Sequence, residues 1–371
     1  MPKLEIKSHQ TLWMRFEGLP IITAFMVVIG AFMIFAPESF LGYRMYTTLA
    51  GTIVPPLILG LGLTFVIAAG EIDLSFPSVL KLSSLTFVMI TKFGIFPLDA
   101  GLADKNDLML WGALLAALTV GGLIGFINGL LVVYVRIPSI IATLATLFVW
   151  EGATVISSGG LSHNIRAIKE YAMYDIVTGR IGPMPVQFLW VIALAVLMWF
   201  VLNRHKFGEH LLFIGDNADV ARVVGINVGR EKIKLFTLMG VLAALAGVVL
   251  TMENKNFFTT QGTGFLLIAL AAVFIGGTSI RGGKGSIVGT FFGSLIVGSV
   301  EAGIIGSGVS GFWTRLVVGL VFLAAVTFHL SVERQQDFGA IKRLVGFGGR
   351  GGTGKPKPPR KPQADHREKP P

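Results

Sequence analysis

An all-α polytopic membrane fold is what the sequence predicts, with about ten transmembrane helices, some broken or re-entrant, and both termini cytoplasmic. Three observations carry that prediction. Only 14% of the 371 residues are charged, against about 25% in ordinary soluble domains. Charge-free runs long enough to cross about 30 Å of hydrocarbon, roughly 18–25 residues each, recur along most of the chain. Lys and Arg, finally, are distributed unevenly between alternate loops.

The expected spans fall near 19–36, 48–70, 74–91, 109–135, 137–158, 187–203, 233–252, 264–280, 287–308 and 312–330. The first follows Lys3, Lys7 and Arg15 as a signal peptide would, but no small-residue cleavage site follows it, so a retained helix is expected. The second ends at Gly70. The third is the weakest, because Lys81 and several serines interrupt it, and it reads equally as a half-helix or re-entrant element. The fourth contains "GLIGFINGLL" and the ninth "VGTFFGSLIVGSVEAG", where small residues let helix backbones approach closely. Of 31 Lys and Arg, 22 lie on the side that holds both termini, which the positive-inside rule places in the cytoplasm.

Three regions follow: a cytoplasmic segment 1–18, a transmembrane domain 19–330 with its largest cytoplasmic loop at 203–234, and a tail 331–371. The tail supplies +6 of the formal net charge of +10 and is rich in Gly, Pro and Lys, so it is expected to be disordered beside anionic lipid, with no nucleic acid partner. Its Gly349, Gly354 and Lys355 imitate a phosphate-binding loop until Pro356 replaces the Ser or Thr that would bind Mg²⁺. No nucleotide site of its own is therefore expected. With no cysteine and no two of the six histidines placed as a ligand pair on a predicted helix, neither a metal centre nor a catalytic one is expected.

Charge inside the bilayer costs at least about 3 kcal/mol on insertion scales, so Asp73, Lys81, Glu151, Glu301 and Arg315 each need a partner, a wet cavity or an interfacial position. Glu301 and Arg315 flank a short Gly/Ser turn, and an ion pair across that hairpin is the favoured reading. In "GEIDLSFPS", Gly70 to Ser78, too few residues separate two apolar runs for a solvated loop. Glu71 and Asp73 therefore mark a helix break: Pro77 opens the next helix, Asp73 or Ser75 caps it, and lining a pore is the functional alternative. A second break, "IGGTSIRGGKGSIVGT", has Gly276, Gly277, Gly282, Gly283 and Gly285 for a tight turn and echoes the first as a faint internal repeat.

Within 203–234, "GDNADVARVVGINV" reads as one short helix. Asp216 is its expected N-cap with Asp219 completing a capping pair, Val220, Val223 and Val224 form an apolar stripe, and Gly225 stops it. A helix this short is not stable alone. Its stripe rests either on this chain's own helix ends or in a partner's groove.

"GEIDLSFPS", "IPSIIATLATL", "FGEHLLFIGDNADVARVVGINVGREKIK", "LAALAGVVLT" and "IALAAVFIGGTSIRGGKGSIVGT", in that order, resemble the permease subunits of bacterial ABC importers for simple sugars, the ribose-type branch. The resemblance covers about residues 48–325, and it departs at Glu71, where the family commonly has Gly, and at Phe76–Pro77. It implies a homodimeric permease of the bacterial inner membrane, a cytoplasmic ATPase subunit that binds ATP and Mg²⁺, and a periplasmic sugar-binding protein. The short helix Asn217–Val224, with Arg222 on it, would then insert into the ATPase. Asp73, Ser75, Asn128, Thr143, Thr146 and Glu151 are the candidates for the substrate path by chemistry and depth. An ion-coupled secondary transporter and an ABC permease for a non-sugar solute such as an amino acid or nucleoside are the alternatives.

Overall fold

Proline placement and glycine spacing explain most of the architecture seen in the computed structural model, which describes residues 18–93, 107–324 and 326–327. These all belong to one compact unit, Met1–His329. The expected N-terminal segment before residue 18 and the expected tail lie outside the described residues. The helices, in order, are α1 (Leu19–Phe35), α2 (Pro37–Phe40), α3 (Tyr43–Thr52), α4 (Val54–Ala68), α5 (Phe76–Phe93), α6 (Leu108–Val133) and α7 (Ser139–Ser158). Then come α8 (Ala172–Thr178), α9 (Val186–Arg204), α10 (Lys206–Asp216), α11 (Ala218–Val223), α12 (Val228–Asn254), α13 (Phe265–Ile275), α14 (Ile287–Gly306) and α15 (Gly311–Ala324). The only described strands form two short ribbons, His163–Asn164 with Asn256–Phe257 and Arg180–Ile181 with Met184–Pro185.

Among the described residues five helices, α6, α7, α9, α12 and α14, are long and apolar enough to cross a bilayer, and α3 with α4 makes a sixth if counted as one bent span. The bend of 50° has a cause in the sequence. Pro55 and Pro56 have no amide hydrogen to donate to α3, so the helix restarts around Ile53 with proline in its first turn. The span expected as one piece over 48–70 is therefore kinked. The weak third span is a continuous helix, α5, because Lys81 is buried with a partner.

α4 is buried along all 15 of its residues and forms the axis of the core. A helix that is apolar all round belongs in such a position. α12 lies against it and against α6, where Gly121, Gly125 and Gly129 repeat every four residues on one face. A Cβ on Gly125 would overlap the Phe236 carbonyl oxygen, and one on Gly121 would overlap the Gly240 carbonyl. The glycine run of the fourth expected span is thus a groove that receives the α12 backbone.

Candidate functional site

α4 ends where Gly70 adopts φ +75°, a conformation that costs L side chains roughly 1–2 kcal/mol. Residues 70–75 then run without helix before α5 begins at Phe76. Their backbone is held from α7: the Ile72 amide donates to Ser139 Oγ at 3.2 Å and the Leu74 amide to Thr143 Oγ1 at 3.0 Å. Asp73 Oδ1 accepts from the Ser75 amide and from Ser75 Oγ, both at 2.7 Å, and Asn128 Nδ2 donates to Ser75 Oγ at 2.8 Å. Asp73 thus braces Ser75, the residue before α5, whereas Ser75 Oγ bonds Asp73 and Asn128 and caps no α5 amide.

The structure gathers four of the six path candidates into one buried network, Asp73, Ser75, Asn128 and Thr143. Thr146 continues it up α7 by donating to the Thr143 carbonyl. Glu151 lies further along and pairs with the buried Lys81 at 2.5 Å. Each of these side chains has a protein partner, but Asn128 Oδ1 is buried without one. Removing Glu151's charge should leave the Lys81 ammonium stranded, so Glu151→Gln is expected to destabilise by about 1–3 kcal/mol. That is below the cost of breaking a fully buried pair, because the Glu151 side chain is 41% exposed. Lys81→Met combined with Glu151→Leu should recover most of that loss in thermal unfolding followed in detergent. Failure of the double variant to recover stability would remove the pairing argument.

Glu71, the residue that departs from the family's pattern, forms an ion pair with Lys232 near the start of α12. The two are 161 residues apart, so no sequence spacing could have announced them. The break is thereby tied to the largest expected cytoplasmic loop. That loop folds as α10, α11 and the first turns of α12, each with its own side-chain cap. His205 Nδ1 accepts from the Phe207 amide, Asn217 Oδ1 from the Asp219 and Val220 amides, and Asn227 Oδ1 from the Arg230 amide.

Two expectations need correction here. The N-cap of α11 is Asn217 and not Asp216, because α10 continues through Asp216 and leaves Asn217 as the first extended residue, at φ −159°. Asp219 does not complete a capping box, and bonds Arg222 one turn on at 2.5 Å. Gly225, at φ +91°, stops the helix as expected, with the Ile226 amide closing onto the Ala221 carbonyl. Ala221 faces inward at 1% exposure, whereas Val220, Val223 and Val224 are 53%, 87% and 64% exposed. Among the described residues, no helix end of this chain covers the stripe.

The second break is a plain turn between α13 and α14. Gly276 and Gly289 touch backbone to backbone, Thr278 Oγ1 accepts from the Ser286 amide, and Ser286 caps α14 by accepting from the Gly289 amide at 2.9 Å. What sequence reading missed is that the two breaks meet. The Gly283 amide donates to the Ala68 carbonyl at 2.9 Å. Gly215, in the last turn of α10, sits between them: its own Cβ would overlap the Ala68 carbonyl oxygen and come within 2.5 Å of the Gly283 nitrogen. Gly70 and Gly282 close the same joint, the latter at φ +84°. The end of α10, which runs directly into the N-cap of the valine-striped α11, is therefore in backbone contact with both helix breaks at once. The signal was present as a glycine beside the expected peg, but nothing local distinguished it from a turn residue.

The expected ion pair between Glu301 and Arg315 does not form among the described residues. Both side chains instead line one cavity at the far ends of their helices.

The family profile for branched-chain amino acid transport system / permease component matches residues 45–326. The chain belongs to this permease family. The match takes in both helix breaks and the 203–234 loop. The ribose import permease protein of Escherichia coli strain K12 is 34% identical over 308 residues, which is 82% of this chain and 91% of the relative. The ribose import permease protein of Bacillus subtilis strain 168 is 34% identical over 270 residues, 72% of this chain and 79% of the relative. The fructose import permease protein of Rhizobium meliloti is 30% identical over 325 residues, 85% and 86% of the two chains. No solved structure matches. The permease is thus a transport subunit rather than an enzyme, and a multi-pass protein of the inner membrane.

Proposed function

We propose that this permease is the membrane subunit of an ATP-driven importer for a simple sugar. It would work as a homodimer with a cytoplasmic ATPase that binds ATP and Mg²⁺ and a periplasmic protein that delivers the sugar. The observation that carries the reading is the exposed Val220–Val223–Val224 stripe on α11, which follows directly on the end of α10 that touches both helix breaks. An apolar stripe left out of the fold calls for a groove on another protein. The names of the ribose and fructose relatives support the cargo class. Ten spans with both termini cytoplasmic remain the proposed topology, with the short apolar helices α1, α13 and α15 and the continuous α5 completing the count of spans beyond the six.

Alternating access follows from these parts. Movement of an ATPase dimer carries α11, Gly215 transmits the displacement to the ends of α4 and α13, and the rest of the bundle reopens toward the other face. The rival ion-coupled carrier has no use for an unpartnered peg. The test is reconstitution of the permease alone in liposomes, and again with its ATPase, binding protein and ATP. Ribose or fructose should accumulate only in the second case. Accumulation by the lone permease on a sodium or proton gradient would overturn the proposal in favour of the rival.

A further inference from the structure

The missing Glu301–Arg315 ion pair leaves a chemical question. At the end of the fold opposite the glycine joint, a cleft of about 540 Å³ opens among the start of α4, the end of α12, the start of α13 and the end of α14. This is the size range of small-molecule sites, roughly 300–1,000 Å³. Glu253, Glu301 and Arg315 line it together with Thr52 and Thr263. Arg315 is exposed, but Glu253 and Glu301 are half-buried with no side-chain partner among the described residues, which is costly in a largely apolar bundle unless something else uses them.

A second observation is independent of the charges. Gln187 also lines the cleft and is 2% exposed; its Nε2 donates to the Gly51 carbonyl at 3.1 Å, but its Oε1 is buried with no hydrogen-bond partner. Thr314 Oγ1, also on the wall, is likewise buried without one. A buried polar atom left unsatisfied costs about 1–3 kcal/mol. Two such atoms behind the wall and three charges along it leave hydrogen-bonding capacity that the described residues do not complete.

We infer that this cleft is a binding station for an uncharged polyol, a monosaccharide presented from the outer face. Carboxylates at Glu253 and Glu301 accept from adjacent hydroxyls, the Arg315 guanidinium donates to hydroxyl or ring oxygens, and Gln187 Oε1 and Thr314 Oγ1, now buried behind the wall, take what remains once their side chains turn toward the ligand. The site lies about 22 Å from the glycine joint, one length of the 15-residue α4, so occupancy and coupling sit at opposite ends of a single buried helix. The inference rests on the transport reading for its cargo class. It also places sugar contacts outside the group Asp73, Ser75, Asn128 and Thr143, of which Asn128 alone keeps a buried atom, Oδ1, without a partner.

The chain has no cysteine, which permits a clean test. Thr52→Cys and Thr263→Cys leave the charged groups in place, and Glu301→Cys replaces one. Each full-length variant in right-side-out vesicles is treated with a charged, membrane-impermeant thiosulfonate, with and without ribose or fructose. All three thiols should react, and sugar at ten times its Kd should slow the two threonine-derived ones about tenfold. Glu301→Cys should react without that protection. Unreactive thiols, or Thr52→Cys and Thr263→Cys rates that neither sugar changes at up to molar concentration, would overturn the inference. Because the assay uses no ATP, that result would leave the coupling proposal standing. Protection together with accumulation by the permease alone would do the reverse.

Discussion

Val223→Asp should abolish sugar-stimulated ATP hydrolysis and uptake while leaving the permease folded. At 87% exposure the residue contributes little to the fold, and a substitution there is expected to move stability by less than about 0.5 kcal/mol. Its effect falls on the complex. If Val223 occupies an apolar groove of the ATPase, the new carboxylate is desolvated with no partner, at a cost of several kcal/mol. A loss of about 4 kcal/mol weakens association about a thousandfold, since each 1.4 kcal/mol is a factor of ten. Asp219→Ala is the matched control. It removes the exposed Arg222 pair, worth about 0–1 kcal/mol, and should leave coupling nearly intact. Co-purification with the ATPase and the ATP hydrolysis rate are the measurements. A Val223→Asp permease that still binds and stimulates its ATPase would show that the stripe is not the contact.

The parts that were legible in the sequence were those encoded locally. Apolar run length placed the bundle, Gly70 and Pro77 placed the first break, and the valine spacing with Gly225 placed the peg. The cap was misread by one residue because Asp216 and Asn217 are both good N-caps, and the choice between them depends on where α10 stops. That helix is held by packing on α4, α9 and α12, which no local pattern reports. Glu301 and Arg315 were misread for a similar reason. Their spacing allowed a hairpin pair, but the walls contributed by α4, α12 and α13 hold a cleft between them. The Glu71–Lys232 pair and the meeting of the two breaks are long-range facts of topology.

Gly215→Ala should be among the most damaging single-methyl changes in the region. Its Cβ would overlap the Ala68 carbonyl oxygen and press on the Gly283 nitrogen, and both are backbone atoms that cannot rotate aside. Overpacking of this kind costs about 1–3 kcal/mol, occasionally more. The same clash would break the Gly283 to Ala68 hydrogen bond that joins the breaks. Gly70→Ala offers the comparison. Its Cβ would meet the Gly215 Cα at an ordinary 3.6 Å, so only the φ of +75° opposes it, at roughly 1–2 kcal/mol. Thermal unfolding should therefore rank wild type above Gly70→Ala, and Gly70→Ala above Gly215→Ala. Coupling should separate them further. Gly70→Ala keeps α10 in contact with both helix ends, whereas Gly215→Ala pushes α10 away from them, so ATP hydrolysis should lose its response to sugar even at temperatures where the protein remains folded. If Gly215→Ala couples normally, displacement of α11 reaches the bundle by another route, and the Glu71–Lys232 pair on α12 is the next place to cut.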